Sequence, residues 1–288
     1  MNPERLLRAG AFMEAHLGDP FALEEVADAA AMSLRSLQRH FADAVGESLA
    51  SFVRGRRLTL AAQRLVAGHD DILSLALDCQ FGSHEAFTRA FARHFFMTPS
   101  EYRQQGSQQH FYYRPVLGEA MLGELGRQRQ RPPQIVHQPA RPLWGLGRIL
   151  TGDQMAGPAL LAQVAQLQAD LQSLFGRAIR PRLFYFKTAP QQCRYYRLLL
   201  AIEAGRGAPP AGLDALTLPA GYRASFWTLG YEQLLPVFFY HCFAQWIFHS
   251  GWHFADAPVE LHLPDERQPA LGLTLPVRTT PSPGYQLW

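Results

Sequence analysis

The first hundred residues place apolar side chains at helical spacing. Leu6, Ala9, Met13 and Leu17 form one stripe, and a recurrence at every third or fourth residue is typical of an amphipathic helix. Two further stripes repeat this spacing: Ile72, Leu75, Ala76 and Cys79, and then Phe87, Ala90, Phe91 and Phe95. The pattern therefore predicts that residues 4–103 are helical.

The pattern changes after residue 103. Residues 104–134 are rich in Gly, Gln, Arg and Pro, and this composition predicts a linker. Longer apolar segments at 158–175 and 231–250 predict helices. Short apolar or alternating runs predict strands at 183–186, 196–202, 222–229, 259–263 and 271–277. We therefore expect an all-α domain at 1–105, a linker at 106–133 and an α+β domain at 134–288.

Each half contains a weak internal repeat. In the first half a constant offset pairs Ser33 with Ser83 and Arg39 with Arg89. In the second half the predicted order strand, helix, strand, strand occurs twice. Duplication of this kind indicates that each domain is built from two similar units.

Residues 33–41 have the layout of a helix that reads DNA. Ser33 is a strong N-cap, because its hydroxyl accepts a hydrogen bond from the free amides of the first turn. Arg35, Gln38 and Arg39 then share the outward face. Arginine reads guanine and glutamine reads adenine through paired hydrogen bonds in the major groove. An ordinary solvated helix face is the alternative interpretation.

The second half of the repeat favours the DNA interpretation. Ser83 is the corresponding N-cap, and the outward positions after it are His84, Glu85, Thr88 and Arg89. The spacing predicts a connecting helix over residues 48–66. Its length of about 28 Å approaches the pitch of one DNA turn, about 34 Å. Three arginines of this helix are expected to contact phosphates: Arg54, Arg56 and Arg57. Such contacts position a protein on DNA but do not read the base sequence.

Four segments resemble the signature of the AraC/XylS family of transcriptional regulators: SLRSLQRHF at 33–41, FVRGRRL at 52–58, SHEAFTRAF at 83–91 and TPSEYR at 98–103. The resemblance implies two helix-turn-helix motifs. It also implies base-reading roles for two sets of residues: Arg35, Ser36, Gln38 and Arg39, and then His84, Glu85, Thr88 and Arg89. One position departs from the family, which commonly has Gly where Gln80 stands. The domain order resembles the Rob subgroup.

The C-terminal half resembles a GyrI-like effector-binding domain. The resemblance lies in LPAGY at 218–222, GYE at 230–232, PVEL at 258–261 and LPV at 275–277, with Phe226, Trp246, Ser250 and Gly251 between them. It implies a duplicated β-α-β-β module with a groove for a small apolar or cationic molecule, or for a protein partner.

Four residues are candidates for the groove of this domain: Glu260, Tyr185, Trp227 and His262. In residues 259–263 apolar positions alternate with Glu260 and His262, which places the latter two on one face. A cationic ligand would compensate the desolvated charge of Glu260, and Tyr185 and Trp227 would add cation–π attraction. An ordinary sheet face, and a core position for Trp227, are the alternatives.

Composition and the absence of certain motifs exclude several classes of protein. The net charge of +3 points to no particular partner, and the three cysteines have no metal-binding or redox spacing. We expect no signal peptide, and the apolar segment 234–248 is too short to span a membrane. The sequence contains no nucleophile elbow, P-loop or dinucleotide motif. We therefore expect a cytoplasmic, nucleoid-associated protein that is no enzyme and holds neither metal nor cofactor.

The sequence as a whole predicts a regulator that binds double-stranded DNA. We expect an activator that contacts RNA polymerase and responds to a small organic effector, with no membrane partner. We further expect one chain to cover two helical turns, and residues 1–105 to bind DNA alone. Two alternatives stay open: a GyrI-like hydrolase fused to a DNA-binding domain, and a DNA-binding protein that needs no ligand.

Overall fold

The structure, a computed structural model, divides into two compact units. The helical unit comprises Met1–Arg131 and Gln233–Trp246, and the α/β unit comprises Pro132–Glu232 and Ile247–Trp288. The residues that the structure describes are 3–68, 70–95, 97–105, 113–151, 157–175, 182–187, 195–229, 235–255, 257–262 and 270–280. The prediction of a helical part followed by an α+β part is confirmed.

The helices follow one another in the order that the apolar stripes predict. They are α1 Pro3–Ala15, α2 Leu23–Ala29, α3 Leu34–Val45, α4 Leu49–Ala67, α5 Ile72–Asp78, α6 His84–Phe95, α7 Pro99–Gln105, α8 Glu119–Gln130, α9 Gly157–Phe175, α10 Leu235–Tyr240 and α11 Ile247–His249, with a π-helical stretch, His241–Trp246, between the last two. Among the described residues, no helix is long and apolar enough to cross a membrane.

Side-chain caps define where the helices of the first unit begin. Ser33, Ser48 and Asp71 each accept a hydrogen bond from the backbone amide three residues later, at the starts of α3, α4 and α5. Such a bond satisfies one of the free amides of a first turn. Inside the unit, Phe41 and Phe52 pack edge to face with their ring centroids 5.3 Å apart. Around α6 the packed rings belong to Phe81, Phe87, Phe91, Phe95, Tyr102 and Tyr113.

The region predicted to be a linker contains α8. Met121 and Leu125 are buried on one face of that helix, four residues apart. Leu117, just before the helix, is buried as well. They belong to the same apolar cluster as the buried residues of α1, α2 and α3. Frequent Gly, Gln and Arg between these positions hid the stripe. The helical unit therefore extends to Arg131, beyond the boundary predicted at residue 105.

The helical unit also takes in a segment from the far C-terminal half of the sequence. Residues 231–250 were predicted to be helical, and the described part, from Leu235 to His249, is helical with a π-helical stretch. Val237 and Tyr240 are buried in the cluster that holds α1, α2 and α3 together. The apolar face of α10 thus completes a core that the first 131 residues build only in part.

The α/β unit is built on one antiparallel sheet. Its described strands are β1 Gln134–Gln138, β2 Arg141–Thr151, β3 Arg182–Lys187, β4 Tyr195–Glu203, β5 Asp214–Leu218, β6 Gly221–Thr228, β7 His253–Phe254, β8 Val259–His262 and β9 Leu271–Arg278. Their order is β1-β6-β9-β8-β3-β4-β2-β5, and β7 pairs with β9. The five predicted strands are confirmed, whereas β1, β2, β5 and β7 were missed.

The sheet order has an internal symmetry. One half runs β3-β4-β2 and the other runs β8-β9-β6, with β3 and β8 adjacent in the middle. β2 was missed because Gly145 and Gly147 interrupt its apolar pattern. Both glycines lie where the neighbouring strand approaches closely, and a Cβ on Gly145 would lie 2.8 Å from Leu199. The glycines therefore serve packing within a strand, where they are otherwise unfavourable.

The backbone of the two helix-turn-helix turns leads to a stability prediction. Ala31 (φ 51°) and Gln80 (φ 62°) adopt the left-handed region without being glycine. We expect Ala31→Gly to raise the free energy of unfolding by about 0.5–1 kcal/mol. Glycine relieves the left-handed backbone strain, and this gain exceeds the entropy that the more flexible residue loses on folding. Urea denaturation followed by circular dichroism would measure it.

Gln80→Gly is the matched control. It relieves the same backbone strain but removes the hydrogen bond that the Gln80 amide donates to the Gly18 carbonyl at 2.7 Å. We expect the two effects to cancel to within about 0.5 kcal/mol. A destabilised Ala31→Gly variant would contradict this account of the turn.

Candidate nucleic-acid interface and effector face

The first helix-turn-helix motif consists of α2, a tight turn and α3. The left-handed Ala31 reverses the chain, and the Met32 amide donates to the Ala27 carbonyl at 2.9 Å. Ser33 then starts α3 by accepting a hydrogen bond from the Ser36 amide at 3.3 Å. The turn and the cap together fix the direction in which α3 leaves α2.

The residues predicted to read bases lie on one side of α3. Arg35, Gln38 and Arg39 are exposed, and Ser36 is half-buried. The inward positions Leu37 and Phe41 are fully buried. The three long polar side chains therefore reach solvent from a helix whose opposite face is fixed by the core.

The second motif, formed by α5 and α6, repeats this backbone path. Gln80 takes the left-handed conformation of Ala31, and the Phe81 amide donates to the Ala76 carbonyl at 2.9 Å. Gln80 stands where the AraC/XylS resemblance leads one to expect glycine, and the turn keeps the left-handed geometry despite this departure. Ser83 caps α6 by accepting from the Ala86 amide at 3.1 Å.

The predicted reading positions of α6 differ in their surroundings. His84, Glu85 and Arg89 are exposed, whereas Thr88 is half-buried. Among the described atoms, the Thr88 hydroxyl has no hydrogen-bond partner. Hydrogen bonds from its own backbone amide and from the Ser83 hydroxyl lower the pKa of the Glu85 carboxyl. The second face therefore presents a negative charge beside Arg89.

Arg54 is the arginine of α4 that remains available for phosphate contacts, since it is exposed. The expectation for Arg56 is wrong. Its guanidinium binds both carboxylate oxygens of Glu14, at 2.6 and 2.7 Å, and donates to the Arg114 carbonyl. The side chain is 10% exposed. Arg56 therefore connects α4 to Glu14 of α1 and to the backbone at Arg114.

The phosphate contact expected of Arg57 is untested, and the structure favours an internal role for this side chain. Its guanidinium donates to the carbonyls of Leu17 and Asp19 at 3.1 and 2.9 Å, and it lies over the Phe21 ring. These two bonds engage Nε and Nη2 of the guanidinium and hold the side chain against the protein. Arg57 therefore anchors the segment between α1 and α2.

One candidate was missed by the sequence reasoning. Arg93 is exposed on α6 and lies four residues after Arg89, so it continues the same helix face. Extending the spacing by one more turn would have found it.

Comparison with known proteins agrees with this geometry. A family model described as a helix-turn-helix domain matches residues 26–105. Transcriptional regulator Rob of Salmonella typhimurium is 39% identical over 114 residues, which are 40% of this chain and 38% of Rob. The match thus spans well under half the length of that relative. An AraC-type regulator structure from Chromobacterium violaceum is 30% identical with a TM-score of 0.35, covering 36% of this chain and 94% of that one.

A shorter relative decides the family. Regulatory protein SoxS of Escherichia coli K12 is 35% identical over 95 residues, which are 33% of this chain and 89% of SoxS. The chain belongs to the AraC/XylS family. It carries the helix-turn-helix domain of this family over residues 26–105.

Three of the four candidate ligand residues of this AraC/XylS protein share one face of the α/β sheet. The strand register pairs Trp227 with Gly272 and Gly272 with His262, and it pairs Thr274 with both Ser225 and Glu260. We call this surface the Glu260 face. Arg141, Leu143, Gly145, Leu199 and Ala201 belong to it by the same alternation.

Tyr185 does not belong to the Glu260 face. The register pairs Tyr185 with Val259, and it pairs Phe184 with Glu260. Directly opposed residues lie on the same side of a sheet, so position 185 is on the other side. The Tyr185 side chain lies outside the described residues. The prediction erred because alternation within each strand says nothing about the register between strands.

Glu260 is buried, and its charge is already compensated within the unit. It is 5% exposed, and the Arg141 guanidinium approaches its carboxylate at 3.5 Å. The same arginine contacts the exposed Glu203 at 3.3 Å. Burial lowers the pKa of Arg223, and the charge of nearby Glu260 partly offsets this effect. The expectation that Glu260 binds a cationic ligand stays untested, and Arg141 gives its charge an internal partner.

Trp227 and His262 meet above Gly272. Their ring centroids are 5.0 Å apart, and a Cβ on Gly272 would come within 2.4 Å of the indole. His262 Nε2 also lies 3.0 Å from the Thr274 hydroxyl, which is 2.9 Å from that of Ser225. Trp227 remains 37% exposed. This part of the face offers an accessible aromatic surface backed by ordered polar groups.

Cys79 and Cys242 are the cysteines that lie among the described residues. Cys79 and Cys242 are buried free thiols, and burial raises the pKa of Cys79 to about 11. Within the described part of the chain, no group of His, Cys, Asp and Glu could hold a metal ion. Cys193 lies outside the described residues.

The different settings of the α4 arginines give a matched pair of variants. We expect Arg54→Ala to weaken binding to all duplex sequences alike and to reduce the slope of log K against log salt by about one. Arg57→Ala should leave the slope unchanged and lower the free energy of unfolding by about 1–2 kcal/mol. Fluorescence anisotropy at several salt concentrations, with urea denaturation, would test both. A reduced slope for Arg57→Ala would restore it as a phosphate contact.

Proposed function

We propose that one chain reads a duplex site of about two helical turns through α3 and α6. The observation that carries this proposal is the pair of serine-capped helices with exposed polar faces, joined by α4. The 19 residues of α4 give it a length of about 28 Å. That length suits two helices that enter successive major grooves on one side of the duplex.

The two faces suit different bases. Arg35, Gln38 and Arg39 supply the donors that recognise guanine and adenine. On α6 the ionised Glu85 accepts hydrogen bonds, which suits the amino group of cytosine, while it repels phosphates. Arg54 and Arg93 supply positive charge for the backbone. Selectivity in this arrangement comes as much from repulsion by Glu85 as from attraction by the arginines.

We propose that the α/β unit binds a small apolar effector on the Glu260 face. One feature supports this: the exposed Trp227 ring beside His262. Four apolar residues on the same side of the sheet are buried and form its core, Leu143, Leu199, Ala201 and Leu218. The duplicated strand order also agrees with the GyrI-like resemblance. Because internal arginines compensate Glu260, an uncharged molecule suits this face better than a cation.

The regulatory consequence follows from these two sites. We propose that effector binding changes how the chain acts on transcription, with activation through RNA polymerase as the expected direction. A reporter gene can be placed behind the selected DNA site. Its transcription, measured with and without this protein, would show whether the effect is activation or repression.

The reading helices can be tested by selecting duplexes from a random library and then measuring variants. Arg39→Ala and Arg89→Ala should each cost about 1–3 kcal/mol on the selected site and much less on random DNA. We expect each variant to weaken the base preference at a different end of the DNA site. Two chains per minimal site, or an equal loss on random DNA, would contradict the proposal.

The role of Glu260 can be separated from that of its neighbours. We expect Glu260→Gln to lower the free energy of unfolding by about 1–3 kcal/mol, because Arg141 and Arg223 lose a buried counter-charge. Glu203→Gln, which removes the exposed partner of the same arginine, should cost less than about 1 kcal/mol. Urea denaturation would compare them. Unchanged stability of Glu260→Gln, together with selective loss of cation binding over a neutral analogue by calorimetry, would restore the ligand role.

A further inference from the structure

The C-terminal end of α3 is held by groups that come from distant parts of the sequence. Gly46 ends the helix in the left-handed conformation, with φ 86°, and its amide donates to the Ala42 carbonyl at 2.8 Å. Arg129, on α8, donates to the Ala44 carbonyl at 2.5 Å. A positive charge at this end interacts favourably with the helix dipole. The end of α3 is thus capped from outside the helix-turn-helix motif.

Glu47, directly after this cap, is the centre of a buried polar cluster. Its carboxylate accepts hydrogen bonds from the Ser51 hydroxyl at 2.7 Å, from Arg114 at 2.8 Å and from the Tyr240 hydroxyl. The side chains of Glu47 and Arg114 are only 12% and 14% exposed. The Arg114 guanidinium also lies over the Tyr240 ring, 4.9 Å from its centroid. A buried carboxylate with several charge-assisted bonds has little freedom to move.

The segment that carries Tyr240 touches the end of α3 a second time. A Cβ on Gly46 would lie 3.2 Å from the amide nitrogen of Gln245, so the two residues are packed closely. Val237 enters the apolar cluster that also contains Leu37 and Phe41 of α3. The segment therefore meets both the polar end and the buried face of α3.

We propose that Tyr240 is a positioning residue for DNA reading, which through Glu47 fixes the orientation of α3. The inference rests on the proposed role of α3 in reading DNA. Tyr240, Arg114 and Arg129 all lie outside residues 26–105, the part that matches the helix-turn-helix family model. The first reading helix of this chain thus depends on residues that the shared domain does not contain.

The proposal predicts an effect confined to one half of the DNA site. Without the Tyr240 hydroxyl, Glu47 loses one of its bonds, and the end of α3 gains freedom. Arg35, Gln38 and Arg39 then meet their bases in a broader range of orientations. The helix α6 is packed by its own aromatic residues, including Phe91 and Tyr102, and should read its half-site as before.

The experiment uses the full chain and the duplex that the wild-type protein selects from a random library. Two derivatives of this duplex have one half-site scrambled, the halves being assigned with Arg39→Ala and Arg89→Ala. We expect Tyr240→Phe to weaken binding about tenfold on the intact duplex and on the one that keeps the α3 half-site. On the duplex that keeps the α6 half-site, affinity should be unchanged. Glu47→Gln should give the same pattern.

Tyr102→Phe is the matched control. It also removes a hydroxyl from a buried tyrosine of the helical unit, where the oxygen lies 3.2 Å from that of Tyr113, and it should leave recognition of the α3 half-site unchanged. Circular dichroism at the assay temperature would establish that each variant is folded. Equal losses on both half-sites, or no loss for folded Tyr240→Phe, would overturn the proposal. If Arg39→Ala instead binds the intact duplex and both scrambled derivatives as the wild type does, no half-site belongs to α3, and the proposed function of α3 is refuted.

Discussion

The placement of α4 depends on one buried ion pair. Arg56, on α4, holds Glu14, on α1, through two contacts, and it also reaches the Arg114 carbonyl. Because both side chains are largely shielded from water, removing either partner would strand a charge in the interior. The two helix-turn-helix motifs are attached to the two ends of α4. Their separation therefore follows from how this helix is seated.

Local sequence signals predicted much of the helical unit. Ser33 and Ser83 were recognised as caps, and the structure shows both of the expected hydrogen bonds. The arginines of α4 show the limit of such reasoning. Nothing in the local pattern distinguishes exposed Arg54 from buried Arg56 and half-buried Arg57. Their settings depend on α1 and on the segment after it, which pack against α4 from some forty residues away in sequence.

The sheet was harder to predict, for two physical reasons. β2 combines glycines with apolar residues because a neighbouring strand needs the space, so it has no clear alternation. The position of Glu260 could be assigned to a face from its own strand, and the register agrees. Its burial and its pairing with Arg141 could not be foreseen, because Arg141 lies on a strand that was not predicted. Glu260 was interpreted as a ligand site because its ion-pair partner, Arg141, was not known from the sequence.

The division of the chain between the two units affects how the protein can be made. The helical unit takes in Gln233–Trp246, so the chain leaves it at Arg131 and returns more than a hundred residues later. Translation proceeds at about 5–20 residues per second, so the helical core waits several seconds for Val237 and Tyr240. During that interval the nascent chain carries an incomplete apolar core. On the proposed role of Tyr240, full DNA-reading competence is thus reserved for chains that have been synthesised at least through Trp246.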